Sequence, residues 1–192
     1  MRLVAGIDEV GVGPLAGPVV AAAVILRRCA RIDGLTDSKL MTPRRRDVVA
    51  EQVKEAAVAW ALGRAEVEEI DALNVLRATW LAMQRAVMAL AVKPQFAVVD
   101  GRFLPPLPCP GRALVRADVR VPAVSAASVL AKVARDAEMV SWDARYPEYG
   151  FAAHKGYGTA QHLAALARFG ACPLHRHSFA PVRAARRRCE EA

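Results

Sequence analysis

The sequence predicts an α/β fold, a mixed sheet flanked by helices. Three Val-, Ile-, Leu- or Trp-rich runs come first, and strand-like and helix-like segments alternate afterwards. The early runs are Leu3 to Ile7, Pro18 to Leu26 and Val58 to Glu66, each bounded by Gly or charged residues, which reads as an antiparallel meander. Between the second and third, Thr42-Pro43 supplies an N-cap and a proline at the first helical position, opening a helix that runs to about Ala57. Apolar residues at Ile70, Leu73, Leu76, Trp80, Met83, Val87 and Leu90 then recur at helical spacing, predicting one long helix with that stripe as its buried face.

Phe96 to Val99 reads as a buried strand that ends at Asp100-Gly101 at a sheet edge. A Pro-rich connection, Leu104 to Pro110, leads to a fifth strand over Arg112 to Arg116. A second long helix is expected over Pro122 to Trp142, and a third from the N-cap Thr159 to Phe169, stopped by Gly170. One domain over 1–172 is expected, with the His- and Arg-rich tail, 173–192, as a small helical appendage.

A chain of 192 residues can bury a sizeable core, and 54% hydrophobic with 24% charged residues excludes wholesale disorder. No apolar run approaches the roughly 20 residues that span a bilayer, and the N-terminus lacks the pattern of a signal peptide, so a cytoplasmic location is expected. Cys29, Cys109, Cys172 and Cys189 form no C-x-x-C pair, and neither a zinc site nor a redox motif is readable. Twenty-seven Lys and Arg against 19 Asp and Glu leave a net charge of +8, which favours a polyanionic partner, foremost nucleic acid.

The chemistry concentrates in acids. Asp8 and Glu9 lie between a strand and the Gly-rich turn Gly11-Val12-Gly13-Pro14. Neighbours in a regular strand face opposite ways, so the two would share a site only where the backbone bends. Asp100 ends an apolar strand, where a charge packs poorly but ligates well, and Asp118 precedes the long helix. Clustered carboxylates repel unless a cation neutralises them, and hard oxygen donors suit Mg²⁺ beside phosphate. Each acid alone also fits an ordinary turn or cap. Ser125, Ser128, Lys132 and Arg135 share one helix face, a candidate phosphate-binding surface or simply a solvated one. Tyr157 stands in a Gly-Tyr-Gly loop, where a ring can meet a sugar or base; His154, His162, His175 and His177 read as loop or surface residues.

Five ordered segments carry a resemblance: Gly6-Ile7-Asp8-Glu9-Val10-Gly11, Thr36-Asp37-Ser38-Lys39, Val99-Asp100-Gly101, Ser125 through Asp136, and His154-Lys155-Gly156-Tyr157-Gly158-Thr159. Together they resemble bacterial ribonuclease HII, of the type 2 ribonuclease H family, from about Val4 to Val182. The resemblance implies the ribonuclease H-like fold, with a central mixed five-stranded sheet. It also implies hydrolysis of the RNA strand of RNA–DNA hybrids and cutting at ribonucleotides embedded in DNA, giving 5′-phosphate and 3′-hydroxyl ends. Asp8, Glu9, Asp100 and Asp118 match the family's catalytic acids, which hold two divalent ions, Mg²⁺ or Mn²⁺. Substrate contacts are implied for Gly11, Val12, Gly13, Ser38, Lys39, Ser128, Lys132 and Tyr157, the tyrosine acting at the ribonucleotide–deoxyribonucleotide junction. A monomer without a firm protein partner is expected.

One position departs from the pattern. The family carries Gly-Arg-Gly where this chain has Gly11-Val12-Gly13, removing a charge-assisted contact worth about 1.5–3 kcal/mol. That leaves a hybrid-binding protein with weakened or lost turnover as the alternative reading. A junction resolvase on the same fold is a third, disfavoured by the Asp37-Ser38-Lys39 and Gly156-Tyr157-Gly158 segments.

Overall fold

The structure, a computed structural model, describes residues 3–35, 38 and 41–190, with side chains as far as 186. Its centre is a five-stranded sheet in the order β3-β2-β1-β4-β5. Strands β1 (Val4–Val10), β2 (Val19–Leu26) and β3 (Ala57–Ala65) form the expected antiparallel meander. Strands β4 (Phe96–Asp100) and β5 (Gly111–Leu114) continue it in parallel, making the sheet mixed. Helices α1 (Pro43–Ala56) and α4 (Pro122–Arg145) cover one face. The other is covered by α2 (Val67–Leu73) and α3 (Val75–Met88). Short α5 (Phe151–His154), α6 (Ala160–Phe169) and α7 (Ala180–Glu190) follow. This is the α/β architecture that the sequence predicts.

The single long helix predicted over 70–90 is two. Asn74, at φ 72°, interrupts it, and its side chain caps α3 by accepting from the N–H groups of Leu76 and Arg77. The predicted apolar stripe also shifts: Leu73 and Leu76 are exposed, while Ala78, Ala82, Met83, Ala86 and Val87 form the buried face. They pack on a sheet surface itself rich in alanine, including Ala21, Ala23, Ala59 and Ala61. Small residues on both sides bring helix and sheet close. A Cβ added at Gly63 of β3 would overlap the backbone of α3 at Ala82 and Ala86.

Helix α4 approaches β1 just as closely, since a Cβ at Gly6 would overlap the backbone of Ala123 and Val124. This contact seats the first turns of α4 over the carboxyl-terminal half of β1. The two predicted helix starts with Thr caps are present: Thr42 accepts from Arg45 N–H at 3.4 Å and Thr159 from His162 N–H at 3.3 Å. No helix among the described residues is long and apolar enough to cross a membrane.

Candidate active site

β1 stays extended through Val10, so the expected bend at Asp8-Glu9 is absent and the two carboxylates take opposite faces. Asp8 shares the α4 face with Gly6 and Val10, whereas Glu9 shares the α3 face with Ala5 and Ile7. Ile7 pairs in parallel with Val99, which sets Asp100 beside Asp8 on the neighbouring strand. Glu9 reaches the same edge from the other face, where it lines a small hollow of about 100 Å³ with Asp100, Gly101 and Thr79. Asp118 belongs to a 3₁₀ turn, Ala117–Val119, that the sequence reading leaves unassigned. Ala117 N–H donates to Asp100 Oδ1 at 2.6 Å, and the Ser125 hydroxyl donates to the Asp118 carbonyl, clamping the turn between β4 and α4. Topology thus brings Asp8, Glu9 and Asp100 to one end of β1 and β4 and ties the turn that carries Asp118 to Asp100.

Burial is the largest influence on Asp8, pushing its carboxyl well above the usual range; the neighbouring Glu9 and Asp100 charges push the same way. The Ser128 hydroxyl and the Glu9 N–H, at 2.8 Å, pull it back. Ser128 Oγ also lies 2.9 Å from Ser38 Oγ. Ser38 and Ser128, expected to contact substrate, are both buried: Ser128 bonds Asp8, and Ser38 bonds Ser128.

The expected phosphate-binding face of α4 needs the same correction. Ser125, Ser128 and Arg135 are buried, because this face packs on β1 and the following loop. Lys132 alone of the four retains partial access, paired with Asp136 at 2.8 Å. Asp136 also pairs with Arg46 at 3.2 Å, and these residues line a groove of about 640 Å³ with Lys155 and Tyr157. Lys39 lies outside the described residues.

The Gly11–Gly17 loop is held from below by two fully buried arginines. Arg176 donates to the carbonyls of Gly11 (2.6 Å), Val12 (3.0 Å) and Gly17 (2.7 and 2.9 Å). Arg135 donates to Ala16 and Pro18, each at 3.0 Å, and to Lys155 at 2.9 Å, joining this loop to the one that carries Tyr157. Burial lowers both guanidinium pKa values, Arg176 to about 9. The Tyr157 ring is exposed, and a Cβ at Gly13 would lie 3.7 Å from its Cε1. Gly13 and Tyr157 are therefore neighbours, and Gly11-Val12-Gly13 follows directly on the strand that carries Asp8 and Glu9.

Sequence reasoning missed the role of Arg176 and misplaced three histidines. His154, His162 and His175 are buried, not on the surface, and only His177 is exposed. The clue lay in their setting among Phe151, Tyr149 and Cys172, which form a small aromatic core. The segment 173–178, read as the start of an appendage, carries His175 and Arg176 into the interior. Gly17 N–H donates to Leu174 O at 2.8 Å and Arg176 N–H to Leu15 O at 2.9 Å.

The donor set suits a hard divalent cation: carboxylates from both faces meet at one edge, and one of them is buried against like charge. Among the described residues no three His, Cys, Asp or Glu groups stand close enough to hold an ion.

Known proteins place this geometry. Ribonuclease H2 from Pyrococcus horikoshii OT3 superposes with a TM-score of 0.83 at 26% identity, covering 98% of this chain and 99% of that one. RNase HII from Archaeoglobus fulgidus, solved in complex with PCNA, gives 0.77 at 24% identity over 91% and 92%. Bst-RNase HIII in complex with Mn²⁺ gives 0.81 at 20% identity, over 100% of this chain and 71% of that one. The family model for ribonuclease HII matches residues 5–182. With its sheet order, its carboxylate edge and this match in agreement, the chain belongs to the ribonuclease HII family and is a ribonuclease H enzyme.

Proposed function

We propose that this enzyme hydrolyses the RNA strand of RNA–DNA hybrids and cuts at ribonucleotides embedded in DNA, leaving 5′-phosphate and 3′-hydroxyl ends. The observation that carries the reading is the placement of Asp8 and Asp100 side by side on parallel strands, with Asp118 tied to Asp100 through the Ala117 N–H. Asp8, Glu9, Asp100 and Asp118 would hold two divalent ions, Mg²⁺ or Mn²⁺. When bound, these supply Lewis-acid stabilisation of the attacking and leaving oxygens at phosphorus.

The chain's own groups do the positioning. Ser128 and the Glu9 N–H fix one orientation of Asp8, and the Ala117 N–H fixes Asp100. The Gly11–Gly13 turn, bare of side chains at both glycines, lets a ribose approach the backbone, and Tyr157 stands against it to meet the sugar at the junction. Lys132, with Arg46 and Lys155 in the same groove, contacts the phosphate backbone. The protein acts in the cytoplasm.

Val12 sets the balance between substrates. Its side chain is 37% exposed but carries no charge toward the scissile phosphate, so single embedded ribonucleotides are cut less efficiently than runs of RNA. The test is cleavage of two labelled duplexes, one with a run of ribonucleotides and one with a single embedded ribonucleotide, with Mg²⁺, Mn²⁺ or chelator. Metal-dependent cutting of the run, with weaker cutting of the single site, is expected. Intact hybrid binding without cleavage under either metal would overturn it in favour of a binding role.

A further inference from the structure

Three buried imidazoles stand beneath the Tyr157 loop, and their shortest hydrogen bonds favour one proton arrangement. His162 Nδ1 lies 2.9 Å from the Tyr157 carbonyl, which only accepts, so Nδ1 carries the hydrogen. In a neutral ring Nε2 is then bare. It lies 3.1 Å from His175 Nε2, which must therefore be the donor. His175 Nδ1 is bare in turn, and the Cys172 N–H meets it at 3.0 Å, closer than the Cys172 sulfur at 3.2 Å or carbonyl at 3.3 Å. Each link dictates the next, from Cys172 through His175 and His162 to the backbone of Tyr157.

His154 reinforces the arrangement. Its ring stacks on His162 with centroids 4.4 Å apart, accepts from Gly156 N–H at Nδ1 (3.1 Å), and donates from Nε2 to Tyr149 O (2.8 Å). Gly156 N–H and the Tyr157 carbonyl are thus each bonded to a buried histidine ring. Burial favours the neutral form of His162 and His175; His175 is held down to about 4 by burial first and by His162 second. The same segment continues into Arg176, which grips the Gly11 and Val12 carbonyls.

We infer that the Cys172–His175–His162 chain is a positioning relay for Tyr157, making His162 and His175 positioning residues that hold the ring beside Gly13. This rests on the proposed role of Tyr157 at the ribose. The segment Cys172–Arg176 then governs both halves of the ribose-reading surface: the relay fixes Tyr157, and Arg176 fixes the glycine turn.

A double-mutant cycle tests it. His162→Phe lowers kcat on the duplex with a single ribonucleotide about ten-fold, with KM little changed. His162→Asn, whose amide N–H can replace Nδ1–H toward the Tyr157 carbonyl, stays within about threefold of wild type. In a Tyr157→Ala background His162→Phe causes no further loss, because residues acting through one another are not additive. Equal losses in the Asn and Phe variants, or a full multiplicative loss on top of Tyr157→Ala, overturn the inference.

Nitrogen-15 NMR of labelled histidines reads the relay without turnover. At pH 7 it should show His162 as the Nδ1–H tautomer and His175 and His154 as Nε2–H; a charged His175 or an Nε2–H His162 refutes the chain even if His162→Phe does not fold. Should wild-type protein cut neither duplex, the ribonuclease reading falls, and the tautomers alone decide the relay.

Discussion

At the scale of single residues the site is a balance between repulsion and fixed donors. Asp100 accepts from Ala117 N–H and also raises the pKa of Asp8 through its charge. Asp100→Asn keeps an oxygen for the N–H and removes the charge. Cleavage should fall at least about 100-fold, by the loss of transition-state stabilisation of roughly 3 kcal/mol, while the thermal midpoint holds or rises; a melting curve beside the cleavage assay separates the two. Val12 offers the opposite experiment. Arg176 uses its carbonyl and leaves its side chain in solvent, so Val12→Arg should fold normally. An added guanidinium contact of about 1.5–3 kcal/mol predicts roughly 10- to 100-fold faster cutting at a single ribonucleotide. An unchanged rate would show that this side chain does not approach the scissile phosphate.

At the scale of elements, close approach of α4 to β1 places the site. Gly6 has no room for a side chain against Ala123 and Val124, so Gly6→Ala forces helix and strand apart. A cost of about 3 kcal/mol is expected from overpacking against backbone that cannot yield, read as a lower urea midpoint. Asn74 makes a second element-level prediction. Asn74→Ala loses the cap of α3, a cost of about 1 kcal/mol, and leaves a β-carbon at φ 72° as in the wild type. Asn74→Gly should retain most of the stability, since it relieves the backbone conformation while losing only the cap.

At the scale of the whole molecule, the buried histidines make stability depend on pH. His175 titrates near 4 when folded and near 6.5 in its ordinary state, so the unfolded chain binds more protons between those values. Stability is therefore complete above about pH 6.5 and falls as pH falls toward 4, by up to about 3 kcal/mol from this residue. His162 is shifted the same way, chiefly by burial, and adds to the loss. The groups around the pair, His154 and His177, oppose protonation further, while Glu148 acts on Cys172. Denaturant midpoints at pH 7.5, 6 and 5 check this, with a falling series expected; a flat series would mean that the relay is already charged or exposed.

The sequence by itself determined the strand runs and the capped helices and pointed to the four acids, because these depend on local spacing and on residue types that chemistry demands. Asp100 at the end of Phe96–Val99 was legible for that reason. Tertiary structure decided which faces those residues use. Leu73 and Leu76 look like core but are exposed, since alanines on both α3 and the sheet make the closer contact. Ser128, Arg135 and the three inner histidines look polar enough for the surface but are buried, since distant carbonyls and hydroxyls satisfy them. A hydrogen-bond partner 119 positions away, as Ala16 is from Arg135, leaves no trace in local spacing; only the packed chain supplies it.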